Sequence, residues 1–250
     1  MSVLIASTHV HSENSDHWAR LQSFYVNKTI GDFEYCVVVN ADDRSKYSNV
    51  LYYSSTLRSH LYCINIIIDT FVKSGHSHLL LLDNDCWPIR NNWMTILDNL
   101  LGQQYGYSAP ARVENFDFFP HPCAFYVKRE FVNSLDFSHC RIKNLLGIDV
   151  SDIGCGIPIA DDVQRWYPLL KSNYINPHPL FASVYGDLFY HHCAGSRGIG
   201  FRAAGFGYYN HVLSKKEHNK IYDRITSNLI ANPTKFLNNL RGIGVERGGL

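Results

Sequence analysis

Hydrophobic positions in the first half of the chain alternate between two kinds of spacing. Segments with continuous apolar runs, which are typical of strands covered on both faces, are residues 3–6, 34–40 and 78–82. Segments with apolar positions at helical spacing are residues 16–26, 56–72 and 91–101. Strands and helices in alternation indicate βαβ units. The pattern therefore predicts an α/β fold with a mostly parallel central sheet.

The second half of the chain is less regular. The expected elements are strands at residues 107–110, 124–127 and 187–192, a helix at residues 161–170, and a helix at residues 214–240 that is broken near Pro233. No composition shift marks a linker between the two halves, so we expect the second half to extend the same domain.

Composition narrows the classes of function. The 250 residues are 46% hydrophobic and carry a formal net charge of +1, which supports a substantial core and argues against a basic surface for nucleic acid. The seven cysteines include no Cys-x-x-Cys pair, so we expect reduced thiols rather than disulfides or a zinc site. The N-terminus lacks a basic segment, and no stretch approaches the roughly 20 apolar residues of a membrane span. We therefore expect a soluble, cytoplasmic protein that is at most peripheral to a membrane.

The most specific feature is Asp83-Asn84-Asp85, which directly follows four leucines. Side chains two apart on an extended chain point to the same side, so both carboxylates can converge on one cation. The carboxyl end of a parallel strand is also where α/β sheets bind ligands. A turn, in which Asp and Asn are common, is the alternative interpretation. The buried strand before the pair favours a divalent-metal site at Asp83 and Asp85.

A strand that ends in Asp-x-Asp, about a third of the way along a chain of this size, resembles GT-A type glycosyltransferases. The resemblance implies a Rossmann-like three-layer sandwich. It also implies transfer of a sugar from a UDP- or GDP-linked donor to a hydroxyl of a carbohydrate or glycan acceptor. Carried over to this chain, Asp85 is the primary metal ligand, and Asp83 is secondary and contacts the ribose or a metal-bound water.

The segment from Tyr190 to Gly198, which reads YHHCAGSRG, is the second feature. It resembles the region of a late histidine that completes the metal site in many members of that family. Adjacent residues on a strand face opposite sides, so only one of His191 and His192 can face the cation, and we favour His191. An imidazole beside two carboxylates favours Mn²⁺ over Mg²⁺. A purely structural histidine pair is the alternative.

Further contacts to the donor are expected at positions that the resemblance assigns. Thr8 and either Asp42 or Asp43 end the first two strands, where family members hold the base and the ribose. Arg58 opens the helix before the Asp-x-Asp strand, where family members often place a basic residue. Arg197 lies in a loop of small residues and carries a guanidinium that matches a phosphate. Helix-capping or solvent-exposed roles are the alternative for these residues.

Asp161 and Asp162 are the candidate catalytic residues, at the start of the helix predicted for residues 161–170. Inverting members of the family use a carboxylate at a comparable place to deprotonate the acceptor hydroxyl. Asp149 and Asp152 are further candidates. Helix capping is the alternative interpretation, and a retaining enzyme needs no such base.

We expect one domain with three parts. These are a nucleotide-sugar-binding half at about residues 1–105, an acceptor and metal-completing part at about residues 106–212, and a helical tail at residues 213–250.

Three other classes of function remain to be weighed against a glycosyltransferase. A metal-dependent phosphohydrolase or nucleotidyltransferase is the main alternative, although such enzymes usually need more carboxylates to hold two metals. A Rossmann dehydrogenase needs Gly-x-Gly-x-x-Gly after the first strand, where this chain has no glycine. A non-catalytic sugar-binding module needs no paired carboxylates together with a late histidine.

Overall fold

The computed structural model describes residues 2–10, 15–30, 35–40, 44–47, 49–56, 58, 60–103, 105–110, 123–132, 163–166, 168–170, 183–192 and 215–242. The strands are β1 (Val3–Val10), β2 (Tyr35–Asn40), β3 (Val50–Ser54), β4 (His78–Asp83), β5 (Cys86–Pro88), β6 (Tyr107–Pro110), β7 (Ala124–Lys128), β8 (Val163–Trp166), β9 (Pro168–Leu170), β10 (Ser183–Tyr185) and β11 (Phe189–His191). The helices are α1 (Ser15–Ile30), α2 (His60–Lys73), α3 (Trp93–Leu101), α4 (Arg129–Val132), α5 (Lys215–Ala231) and α6 (Pro233–Gly242), with a 3₁₀ turn at Arg44–Lys46.

The central sheet has the strand order β3-β2-β1-β4-β7-β6-β8. Neighbouring strands are parallel except where β7 pairs with β4 and with β6. β7 therefore runs against the other strands, and the predicted α/β fold with a mostly parallel sheet is confirmed. The parallel strands β2, β1 and β4 lie in the interior of the sheet, as expected for runs that are apolar on both faces.

Helices cover both faces of this sheet. Alternate residues of a strand point to opposite faces, and the apolar residues of β1 and β4 divide in this way. Ile5 packs in one buried cluster with Val26 of α1 and Leu97 of α3. Leu4 packs in another with Phe71 of α2. The arrangement of helix layer, sheet and helix layer is the predicted three-layer sandwich.

A smaller antiparallel sheet with the order β5-β11-β10-β9 continues from the end of β4. Trp87 of β5 stacks on Tyr25 of α1, with ring centroids 5.8 Å apart. Tyr190 of β11 shares a buried cluster with Trp87 and with Tyr222 of α5. This packing fixes β11 beside β5, and so holds the end of β11 against the end of β4.

The first strand is longer than the sequence pattern predicts. β1 continues past residues 3–6 through Ser7 and Thr8 to Val10. Both polar residues are buried, and their strand pairs with β2 on one side and with β4 on the other. The short strands β3, β5 and β10 were also not predicted, and each is too brief to show a period of its own.

The helix predicted at residues 161–170 is wrong, because this segment contains strands β8 and β9. Val163–Trp166 pairs in parallel with Tyr107–Pro110 of β6. This long-range pairing overrides the local helical pattern. Asp161 and Asp162 therefore precede a strand rather than open a helix, and their own placement lies outside the described residues.

The predicted break near Pro233 is confirmed, with α5 ending at Ala231 and α6 beginning at Pro233. Proline suits the first helical position, where a backbone N–H has no partner within the helix. The side-chain oxygen of Asn232 accepts a hydrogen bond from the backbone N–H of Lys235 at 3.0 Å and so caps α6. No helix within the described part of the chain combines the length and apolarity needed to cross a membrane.

Candidate metal centre

Asp83, Asp85 and His191 come together where the two sheets meet. Asp83 ends β4, and Asp85 lies in the turn that leads into β5. β11 runs antiparallel to β5 and pairs His191 with Cys86, which brings the imidazole to the carboxylates. His191 Nε2 lies 3.4 Å from Asp85 Oδ1 and 3.9 Å from Asp83 Oδ2.

These separations suit a single cation. One ligand atom from each of the three residues lies within 4.8 Å of the others. Ligand atoms bound at about 2.1 Å around one ion lie about 3 to 4 Å apart, so small side-chain movements close the site. The side chains of Asp85 and His191 are 4% and 5% exposed, whereas that of Asp83 is 22% exposed. Asp83 is thus the candidate ligand at the solvent side of the centre.

The buried charges of the centre depend on one another. Burial lowers the pKa of His191, but the neighbouring Cys123 and the carboxylate of Asp85 outweigh burial and hold this pKa well above its ordinary value. Burying a carboxylate without an opposite charge beside it costs on the order of several kcal/mol in lost hydration. The raised pKa favours the protonated form of His191 beside the carboxylate of Asp85.

Main-chain hydrogen bonds fasten both ends of the turn that carries the carboxylates. The backbone N–H of Asp83 donates to the carbonyl of Cys123 at 3.0 Å. The backbone N–H of His192 donates to the carbonyl of Asp85 at 3.0 Å. The turn is therefore held by the residue before β7 on one side and by the residue after β11 on the other.

Sequence reasoning missed Gln22 and His9, which hold the same turn from a third side. Gln22 of α1 donates from Nε2 to the carbonyls of Asp83 and Cys86, both at 2.7 Å. His9 Nε2 lies 3.0 Å from Gln22 Oε1. The sequence does hold a signal for Gln22, because it is a glutamine between Leu21 and Tyr25 on the apolar face of α1. A buried amide needs hydrogen-bond partners inside the protein.

His192 faces away from the carboxylates. Its Nδ1 lies 2.7 Å from the hydroxyl of Tyr190, and its Nε2 lies 2.9 Å from Thr226 Oγ1 of α5. Because the Thr226 hydroxyl donates to the carbonyl of Tyr222, it accepts the proton of His192 Nε2. The alternation of side chains along β11 thus puts His191 at the candidate centre and His192 in the packing against α5.

Two buried thiols lie beside the centre. Cys86 and Cys123 are fully buried, Cys63 is a buried residue of α2, and none of these three described cysteines forms a disulfide. Burial raises the pKa of the Cys86 thiol well above its usual value, and Cys123, Asp83 and Asp85 raise it further. The reduced state of the seven cysteines stays a prediction.

The remaining candidate residues divide into two groups. Thr8 is buried in β1 and is the register partner of Asp83, so it lies at the same edge of the sheet. Arg58 lies just before α2, with its guanidinium 5.3 Å from the ring centroid of Tyr62. The candidates outside the described residues are Asp42, Asp43, Asp149, Asp152, Asp161, Asp162 and Arg197.

No protein-family model matches the chain, and no curated protein matches it. Among solved structures, it is similar to the galactosyltransferase LgtC in complex with donor and acceptor sugar analogues, at 12% identity and a TM-score of 0.45, over 90% of this chain and 96% of that chain. It is also similar to glucosyl-3-phosphoglycerate synthase from Mycobacterium tuberculosis in complex with Mn²⁺, UDP and phosphoglyceric acid. There the identity is 9% and the TM-score 0.44, over 66% of this chain and 68% of that chain.

Proposed function

We propose that this protein is a metal-dependent glycosyltransferase that takes its sugar from a UDP- or GDP-linked donor. The observation that supports the proposal most is the convergence of Asp83, Asp85 and His191 at the carboxyl end of β4. Ligands of α/β sheets bind at this end of the strands. The expected partner is the diphosphate of a nucleotide-linked sugar, because a divalent cation at this site would neutralise the negative charge of the phosphates.

The chemistry of the three ligands fits Mn²⁺, with Mg²⁺ as the second choice. Carboxylate oxygens suit both ions, whereas an imidazole nitrogen favours the softer Mn²⁺. When bound, the ion neutralises the negative charge that develops on the departing diphosphate. Asp85 and His191 would hold the ion from the buried side, and the more exposed Asp83 would be its third ligand.

The other expected roles complete the proposal. Thr8 lies one strand from Asp83 and is proposed to contact the nucleoside end of the donor. Arg58, Asp42 and Arg197 are proposed donor-binding residues. An inverting reaction further needs a carboxylate to deprotonate the acceptor, which we assign to Asp161 or Asp162. The acceptor side then belongs to residues 106–212, as the division of the domain expects.

The alternative function, phosphohydrolysis or nucleotidyl transfer, also uses carboxylates and a divalent metal. Enzymes of this kind commonly hold two ions about 4 Å apart and need ligands for both. Within the described part of the chain, the group of potential ligands has three members, which suffices for one ion. This ligand number favours the glycosyltransferase.

Calorimetry with UDP- and GDP-linked sugars, with and without Mn²⁺, tests the proposal. We expect binding that depends on Mn²⁺ in the wild type and is lost in Asp85→Asn. The matched control is Asp98→Asn, because Asp98 also lies beside a histidine, His78, but at the opposite end of β4. The control should keep metal-dependent binding, and absence of such binding in the wild type for every nucleotide tested would reject the proposal.

A further inference from the structure

The buried face of α1 carries one amide among apolar residues. Gln22 is fully buried in the middle of α1, and its neighbours on this face include Trp18, Leu21 and Val26. Burying an amide costs about 1 to 3 kcal/mol unless its hydrogen bonds are remade inside the protein. A core position of this kind is normally apolar, so the contacts of Gln22 with His9, Asp83 and Cys86 need an explanation.

Gln22 bridges the two ends of the turn that carries the carboxylates. We call residues 83–86 the ligand turn. The Nε2 group of Gln22 donates one proton to the carbonyl of Asp83 and the other to the carbonyl of Cys86, both at 2.7 Å. The two side chains that this turn presents to the centre are those of Asp83 and Asp85. One amide group thus closes the ligand turn from the helix side.

His9 fixes the orientation of this amide. The two carbonyls can only accept, so Nε2 of Gln22 must face them and Oε1 must face His9 Nε2, 3.0 Å away. His9 therefore carries its proton on Nε2. Its Nδ1 is buried and has no hydrogen-bond partner among the described residues, which disfavours a second proton. The rotated amide would put Oε1 against two carbonyl oxygens, so a single arrangement remains.

We infer that Gln22 is a positioning residue for the metal centre, and that it sets the separation of Asp83 and Asp85 through its two hydrogen bonds to the ligand turn. The inference rests on the proposed function. Metal affinity is sensitive to ligand geometry, and loss of a group that orients the ligands typically weakens binding about 10- to 100-fold. Gln22 acts through the backbone at both ends of the turn.

The test uses Gln22→Met, which keeps the length of the side chain but removes both donors. Its matched control is Thr29→Val, on the same face of α1. The Thr29 hydroxyl is buried and donates to the carbonyls of Tyr25 and Val26 within the helix, so its loss disturbs α1 without touching the ligand turn. Gln22→Asn is a milder second variant, since its shorter amide cannot reach both carbonyls.

Two readouts separate positioning from general stability. The first is hydrogen exchange of the amides of residues 83–86 in the metal-free protein. We expect faster exchange in Gln22→Met and unchanged exchange in Thr29→Val. The second is the Kd for Mn²⁺ alone, measured by electron paramagnetic resonance. We expect it to rise at least about tenfold in Gln22→Met and less than about twofold in Thr29→Val.

Each outcome has a defined meaning. Equal exchange and equal Mn²⁺ affinity in wild type and Gln22→Met overturn the inference, as does an equal loss of affinity in Gln22→Met and Thr29→Val. If Gln22→Met does not fold, Gln22→Asn is judged by the same two criteria. If the wild type binds no Mn²⁺, the proposed function fails, whereas the exchange comparison still decides whether Gln22 holds the turn.

Discussion

His9 makes the stability of this fold depend on pH in a calculable way. Burial lowers the pKa of His9 from 6.5 to about 4, against smaller opposing effects of Gln22 and Asp85. Between pH 6.5 and about 4, His9 is therefore protonated in the unfolded chain and neutral in the folded protein. The stabilisation from the neutral ring is complete above pH 6.5 and is lost as the pH falls through this window. At about pH 5 the loss amounts to about 2 kcal/mol.

The variant His9→Gln isolates this contribution. A glutamine can place its amide N–H where His9 Nε2 lies and keep the bond to Gln22 Oε1, but it does not titrate. Urea unfolding of both proteins, in EDTA, should show that the wild type loses about 2 kcal/mol relative to the variant between about pH 8 and about pH 5. Other titrating groups are common to both proteins and cancel. A difference between the two that stays constant over this range would refute the reasoning, because His9 would then titrate alike in both states.

Three further predictions concern the histidine pair of β11, the end of α2 and the Cys86 thiol. His191→Gln should lose Mn²⁺ binding, because the imidazole beside Asp85 is removed. His192→Gln should lower the urea midpoint of unfolding and keep the Mn²⁺ affinity within about threefold, because His192 packs against α5. Equal losses of affinity in the two variants would contradict the assignment of the two histidines. Arg129→Met removes hydrogen bonds from the guanidinium to carbonyls at the end of α2 and should cost about 2 kcal/mol in urea unfolding, while a loss below about 0.5 would contradict this. Cys86 should resist a thiol reagent in the native protein and react on unfolding in urea, and rapid native labelling would contradict its burial and raised pKa.

The sequence predicts the candidate metal centre best where the ligand residues and the strand that positions them lie in one short segment. The leucines before Asp83 indicate a strand buried on both faces, and they place the carboxylates at its end. The alternation along β11 likewise separates His191 from His192. Both conclusions need only the period of a strand.

Features that depend on distant pairing are beyond such reasoning. Asp161 and Asp162 resemble a helix start, yet Val163–Trp166 is a strand because β6 offers it a partner. Gln22 has an ordinary helical context, and its role depends on two carbonyls far along the chain. The spacing of apolar residues within α1 gives no information about which turn, distant in the sequence, packs against this helix.

The junction of two sheets at the candidate centre has a consequence for assembly. Asp83 and Asp85 are made early in synthesis, whereas His191 follows much later and reaches them only after β11 has paired with β5. Contacts between residues far apart in the chain form more slowly than local ones, so we expect the imidazole to reach the carboxylates late in folding. A chain that stops before β11 has two carboxylates and no third ligand, and should bind a cation weakly. A cation that joins both sheets in the finished protein would then act as a staple, and would add to its stability by mass action.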